Sequence, residues 1–242
     1  MDKSFKPVLF FCLWLFALTG QAIADPVAEM EAELAYVAGN FAKAVELYTP
    51  LAEQGSVVAQ QRLGSIYSAG SGVLQDDKEA AKWYRLASEQ GDATAQVELG
   101  SMYYFGRGVP QDDKEALQWY RRAAEQGNSL AQTNLGVMYL NGRGADPDEK
   151  EAVKWCRLAA EQGYAPAQEK LGAAYASGLG VPQDYIQSYM WLDIAISSSA
   201  DIEFQQKTSG QRASIAKLMT ANQIAEAQKL SRKCTKNNFK EC

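Results

Sequence analysis

From Ala95 to Leu130 the apolar residues fall into two stripes. Ala95, Leu99, Met102 and Tyr103 recur at i, i+4, i+7 and i+8, and Ala116, Trp119, Tyr120 and Ala123 at i, i+3, i+4 and i+7. Both spacings put side chains on one face of an α-helix. Between the stripes Gly106 and Gly108 supply the backbone freedom for a sharp reversal, and Val109 and Pro110 carry the chain across. Asp112, followed three residues later by Glu115, marks an N-cap, and Gly127 marks a helix stop. The segment predicts a hairpin: a helix A, a glycine loop and a helix B.

The same pattern is rewritten along the chain. Trp83, Trp119, Trp155 and Trp191 stand 36 residues apart, as do Gly64, Gly100, Gly136 and Gly172 inside helix A. Caps recur at Asp76, Asp112, Asp148 and Asp184, and stops at Gly91, Gly127 and Gly163, with Ser199 in the fourth place. A period of this length predicts stacked supersecondary units, each unable to bury its own apolar face. Glycine within a helix costs about 1 kcal/mol relative to alanine, so its recurrence predicts close approach of a neighbouring helix B, with the tryptophan filling the space.

The flanks differ. Residues 25–58 read as a shorter hairpin, with Leu34, Ala35 and Tyr36, a turn at Gly39 and Asn40, then Phe41, Ala44, Leu47, Tyr48 and Leu51. Full repeats occupy 59–94, 95–130, 131–166 and 167–200. The segment from Tyr185 to Ile196 is apolar nearly all round, so something further must cover it. Residues 201–242 supply it: a helix from about Ile202 to Met219, then Thr220 and Gln223 as a capping box opening a helix through Lys233. At the other end, Lys3 and Lys6, the apolar run Val8–Leu18 and the Ala22-Ile23-Ala24 triplet read as a secretory signal peptide over 1–24, cleaved after Ala24. The run is shorter than the roughly 20 residues of a membrane span, so a periplasmic or secreted protein without stable membrane insertion is expected.

The whole chain carries 24 basic and 29 acidic residues. Removing 1–24 takes away Asp2, Lys3 and Lys6, leaving a net charge of −6. From Ile202 onward eight basic residues face three acidic ones, so this tail is +5 and the body −11. An acidic body argues against nucleic acid, which requires clustered lysine and arginine. Cys156 occupies the register of Tyr84 and Tyr120, an inward position, and is expected reduced as a small core hydrophobe. Cys234 and Cys242 bracket a short polar segment; in an oxidising compartment they either close a small loop or stay as two thiols.

The string AQVELGSMYYFGRGVPQDDKEALQWYRRAAEQG, from Ala95 to Gly127, resembles the Sel-1-like repeat, the longer relative of the tetratricopeptide repeat, and the segments beginning at Ala59, Ala131 and Ala167 match it similarly. The likeness spans Ala59 to about Ala200, and Ala28–Gly55 resembles a tetratricopeptide hairpin. Ala145, Asp146 and Pro147 depart from the Val-Pro-Gln loop, and Tyr185 and Ile186 from the usual polar pair. The resemblance implies an all-α, right-handed α-solenoid with C-terminal capping helices, serving as an adaptor, with bacterial members commonly exported and active at the envelope or in host contact.

In such an arrangement the groove is lined by helix A positions −3, +1, +4 and +5 from the glycine. The middle repeats give Val97, Ser101, Tyr104 and Phe105, then Thr133, Val137, Leu140 and Asn141, an apolar strip with polar flanks suited to a peptide segment. Arg107 and Arg143, between the loop glycines, are expected along one edge as docking points for an acidic partner.

No histidine occurs in the chain, which removes Ser-His-Asp and Cys-His catalysis and the usual zinc sites; no metal or cofactor is expected. Ser214–Lys217 spells S-x-x-K, a nucleophile signature of penicillin-recognising enzymes, but no K-T-G follows it. The leading reading is a monomeric, non-enzymatic scaffold binding a protein or peptide segment. The alternatives are an envelope regulator that stacks glycan on Tyr104 and Phe105, and a β-lactam hydrolase using Ser214.

Overall fold

The structure is a computed structural model that describes residues 26–240 and 242; the segment read as a signal peptide lies outside the described residues. Among the described residues there are twelve α-helices and no strand. None of these helices is long and apolar enough to cross a membrane. The chain divides into two compact units, one reaching to Ala95 and including Arg107–Val109, the other comprising Gln96–Gly106 and Pro110–Cys242.

The first unit holds α1 (Pro26–Val37), α2 (Phe41–Glu53), α3 (Val57–Ala69) and α4 (Asp77–Glu89). Its core gathers Ala44, Tyr48, Leu51, Leu63, Ile66 and Trp83. One half-buried polar knot ties the first hairpin to the second: Tyr48 donates its hydroxyl to Glu33, and Arg62 grips the same carboxylate with two nitrogens, at 3.0 and 2.7 Å. Hydrogen bonds from Tyr48 and Arg62 pull the Glu33 carboxyl below its ordinary range, whereas burial and Glu33 push the Tyr48 phenol up.

Helix α5 (Ala93–Phe105) begins in the first unit and continues into the second. There follow α6 (Asp113–Glu125), α7 (Ser129–Asn141), α8 (Glu149–Ala160), α9 (Ala165–Ser177), α10 (Tyr185–Ser198), α11 (Ile202–Ala216) and α12 (Ala221–Lys236). The repeated aspartates are caps: Asp76, Asp112, Asp148 and Asp184 each accept amide hydrogens of the first helical turn they precede. Thr220 and Gln223 form the reciprocal box at the start of α12. Ser199, in the place of a fourth glycine stop, is extended.

The helix A glycines do mark close helix contact, but the tryptophan is not what fills the space. A Cβ at Gly64 would stand 2.7 Å from the Tyr84 ring, at Gly100 2.9 Å from Tyr120, at Gly136 2.8 Å from Cys156 Sγ and at Gly172 2.8 Å from Leu192. The contact belongs to the residue one place after each tryptophan, because that residue lies on the side of helix B turned toward helix A. The second loop glycine has a different duty. At Gly108, Gly144 and Gly180 the backbone has φ near +70° and sits on the carbonyl of Asp77, Asp113 or Glu149 at the start of the preceding helix B, where any side chain would collide.

Glutamines recur at one register in the interior of each unit. Gln60, Gln132 and Gln168 donate to the Ala52, Ala124 and Ala160 carbonyls, and Gln60, Gln96 and Gln132 accept from Gln90, Gln126 and Gln162 at 2.8 Å. At the C-terminal end α11 and α12 pack against α10 and bury it, with Trp191 and Ile194 fully enclosed. Asp193 accepts from Arg212 and, at 2.7 Å, from Ser231. Cys234 and Cys242 form a disulfide, Cα–Cα 5.3 Å, and Phe239 rests on Gly163.

Candidate functional site

The predicted groove residues divide by register. Positions +1, +4 and +5 reach the surface. Position −3 does not: Val97 and Thr133 are both 3% exposed, and the Thr133 hydroxyl is spent on the Ser129 carbonyl. They are core rather than groove, because position −3 lies one helical turn before the glycine, on the stripe facing inward. Glu169, at the same register of α9, is buried under α11, where Lys207 and Gln211 reach it.

The remaining residues come together over α5, α7 and α9. Ser101, Tyr104, Phe105 and Val137 line a depression of about 320 Å³ together with Tyr120, Asn134 and Lys170. Val137 and Lys170 are shared with a second, mostly apolar cavity of about 290 Å³, lined also by Leu140, Asn141, Cys156, Ala173 and Leu179. Phe105 is 66% exposed and Leu140 42%. The polar groups of the first are Ser101 and Tyr120, bonded to each other at 2.9 Å, with Asn134 and Lys170; Asn141, Ser177 and the shared Lys170 are those of the second. Apolar walls with sparse polar points are the usual make-up of a binding site.

Arg143 is not an edge arginine. Its guanidinium is bidentate on Asp113, with Nε–Oδ2 at 2.9 Å and Nη2–Oδ1 at 2.6 Å, and lies 3.7 Å from the centre of the Tyr104 ring. The bond to Asp113 raises its already high pKa further. Asp113 follows the capping Asp112, so the second aspartate of the pair anchors the next repeat's loop. Arg107, at the equivalent register, keeps its Nε buried and without a hydrogen bond. Arg143 is thus engaged within the chain and not free to dock an acidic partner. Arg143 also covers one face of Tyr104, and Phe105 meets that ring in an edge-on arrangement at 4.8 Å.

Ser214 is exposed on α11 and turns its hydroxyl back to the Gly210 carbonyl. No group of histidine, cysteine or carboxylate residues capable of holding a metal ion occurs among the described residues.

Two residues of the site escape the groove pattern. Lys170 lies at position −2 from its glycine and lines both depressions. Cys156 comes from helix B, which the groove argument does not consult. Its thiol is 7% exposed, and burial pushes its pKa up to about 11. The readable signal was the interrupted series Tyr84, Tyr120, Cys156.

Comparison with known proteins places the repeats. The Sel1 repeat profile matches residues 29–56, 57–92, 93–128, 129–164 and 165–199, so the first hairpin is matched along with the four longer units. A Sel1 repeat protein from Oxalobacter formigenes is 32% identical, with a TM-score of 0.67 over 75% of this chain and 74% of that one. A protective antigen of uropathogenic Escherichia coli with an SLR fold is 28% identical over 81% of this chain and 65% of its own, with a TM-score of 0.40. Comparison with curated proteins returns no match. Matched by the repeat profile over most of its length, the chain belongs to the Sel1 repeat family, an all-α solenoid fold that is typically non-enzymatic and generally serves as a scaffold for protein–protein interaction.

Proposed function

We propose that this protein is an exported scaffold, acting in the periplasm or outside the cell, that holds a segment of a partner protein across α5, α7 and α9. The observation that carries the reading is the pair of adjoining depressions over those helices, apolar where Val137, Leu140 and Phe105 line them and open to solvent. Phe105 and Leu140 are large apolar side chains left exposed, and such a patch lowers its free energy by being covered. The N-terminal leader pattern and a disulfide at the C-terminus suit an oxidising compartment.

The reading is tested by site-specific photocrosslinking in living cells. A photoreactive residue at Phe105 or Leu140 is expected to trap the same partner, and one at the exposed Gln118 of α6 is not. Leu140→Asp is expected to abolish the crosslink from position 105 with helical content unchanged. Equal crosslinking from position 118, or a protein found only in the cytoplasmic fraction, overturns it.

A further inference from the structure

The third full repeat breaks its own rule in one place. In the first two, a tyrosine ring closes over the helix A glycine, Tyr84 over Gly64 and Tyr120 over Gly100, and in the fourth Leu192 closes over Gly172. At Gly136 the register holds Cys156, whose side chain ends at its sulfur. A mostly apolar cavity of about 290 Å³ lies beside that sulfur. A dry cavity of about 150 Å³ is enough for benzene, so an aromatic side chain fits here with room for entry.

The neighbouring repeat shows what chemistry suits the space. Tyr120 needs its hydroxyl, which meets Ser101 at 2.9 Å. The residue 36 positions after Ser101 is Val137, and it lines the cavity. A ring entering beside Cys156 meets methyl groups where Tyr120 meets a hydroxyl, and a buried phenol left without a partner is penalised. Phenylalanine-like chemistry is selected over tyrosine-like.

The mouth is electrostatically one-sided. Lys170 lines both depressions, is exposed, and makes no ion pair among the described residues; no carboxylate lines either depression. A free apolar molecule would leave that ammonium and the adjoining 320 Å³ unused. A peptide uses both, with its backbone running through the 320 Å³ depression.

We infer that the Cys156 cavity receives one phenylalanine-sized side chain from an extended segment of a partner protein, and that an acidic residue beside it in that segment meets Lys170. This rests on the scaffold reading and names the partner's chemistry.

The test uses the purified protein and three labelled glycine-serine nonapeptides carrying Phe-Asp, Ala-Asp or Phe-Lys at their centre, followed by fluorescence anisotropy. Phe-Asp is expected to bind at least tenfold more tightly than Ala-Asp. Cys156→Phe, which fills the cavity with the chain's own ring, is expected to lose that tenfold, as is Ala173→Leu, which fills it from the opposite wall. Lys170→Glu is expected to reverse the preference toward Phe-Lys. The anchor is overturned if Phe-Asp and Ala-Asp bind alike, if either folded filling variant binds as well as the parent, if toluene binds the cavity while no peptide does, or if no peptide binds at millimolar concentration. In each of those cases crosslinking from Phe105 and Leu140 still decides separately whether the wider groove holds a partner.

Discussion

The second and third repeats are nearly the same sentence, yet one carries a tyrosine ring where the other carries a thiol, and the depressions beside them differ in chemistry. Gly100, Ser101 and Tyr120 form a contact with a hydroxyl pair at its edge, beside a depression with polar lining; Gly136, Val137 and Cys156 form the same contact minus a ring, beside a mostly apolar cavity. The backbone hardly registers the change. Both hairpins keep their aspartate caps, their helix stops and their glutamine bonds, so the scaffold is carried by residues other than the one that varies. A repeat protein can thus change the chemistry of a site at a chosen repeat without redesigning the fold.

The sharpest way to break the comparison is to take the ring from the second repeat too. Tyr120→Cys should cost about 3 to 4 kcal/mol, from lost burial and an uncollapsed void, lowering the melting temperature by roughly 6–16 °C at 2–4 °C per kcal/mol. A shift of under 2 °C in calorimetry would mean that the ring does not support the second repeat.

The next test uses the proton on Cys156. Burial raises its pKa from 9.0 to about 11, so the folded state holds the thiol proton more tightly than the unfolded chain. The associated stability is fully present below pH 9.0 and is lost as pH rises through about 11, an effect of up to about 3 kcal/mol. Denaturant melts of the protein and of Cys156→Ala, run from pH 8 to 11, should therefore converge with rising pH; parallel curves would place the thiol in water.

Filling the hollow repeat should work in the other direction. Cys156→Phe is expected to stabilise by about 1 kcal/mol, a modest value because added volume strains as well as buries. A fall in denaturation midpoint greater than that would mean the cavity is too narrow for a ring. Smallest is the loop edge: Arg143→Ala should cost about 1 kcal/mol by releasing Asp113 and Tyr104, partly offset by solvent screening, and Arg107→Ala less, since Arg107 Nε holds no hydrogen bond. Equal losses would show that the paired carboxylate adds nothing.

Much of the architecture was readable because repetition multiplies weak signals. One Asp before one Glu is a common accident, whereas four caps and four glycines at a 36-residue spacing are a pattern that only stacked hairpins explain. The site was legible only where it followed helix A. Ser101, Tyr104, Phe105, Val137, Leu140 and Asn141 were placed by counting from a glycine. Val97 and Thr133 were misplaced by the same count, since a heptad-like register does not say how far the inward stripe extends. Lys170 and Cys156 were visible as residues, but their meeting depends on distances between helices. Arg143 shows the same limit: its partner Asp113 lies 30 residues earlier and is brought near only by the stacking of loop on helix.

The glutamine row ends at a definite atom. Gln168 is fully buried, and its Oε1 has no hydrogen-bond partner among the described residues, because the residue 30 places further on is Ser198 where the earlier repeats have Gln90, Gln126 and Gln162. Copy number is therefore not indifferent to position. A duplicated unit spliced between residues 164 and 165 would inherit a matching neighbour on each side, whereas one appended behind residue 199 would meet a full stop. Lineages that lengthen this protein should do so from its middle.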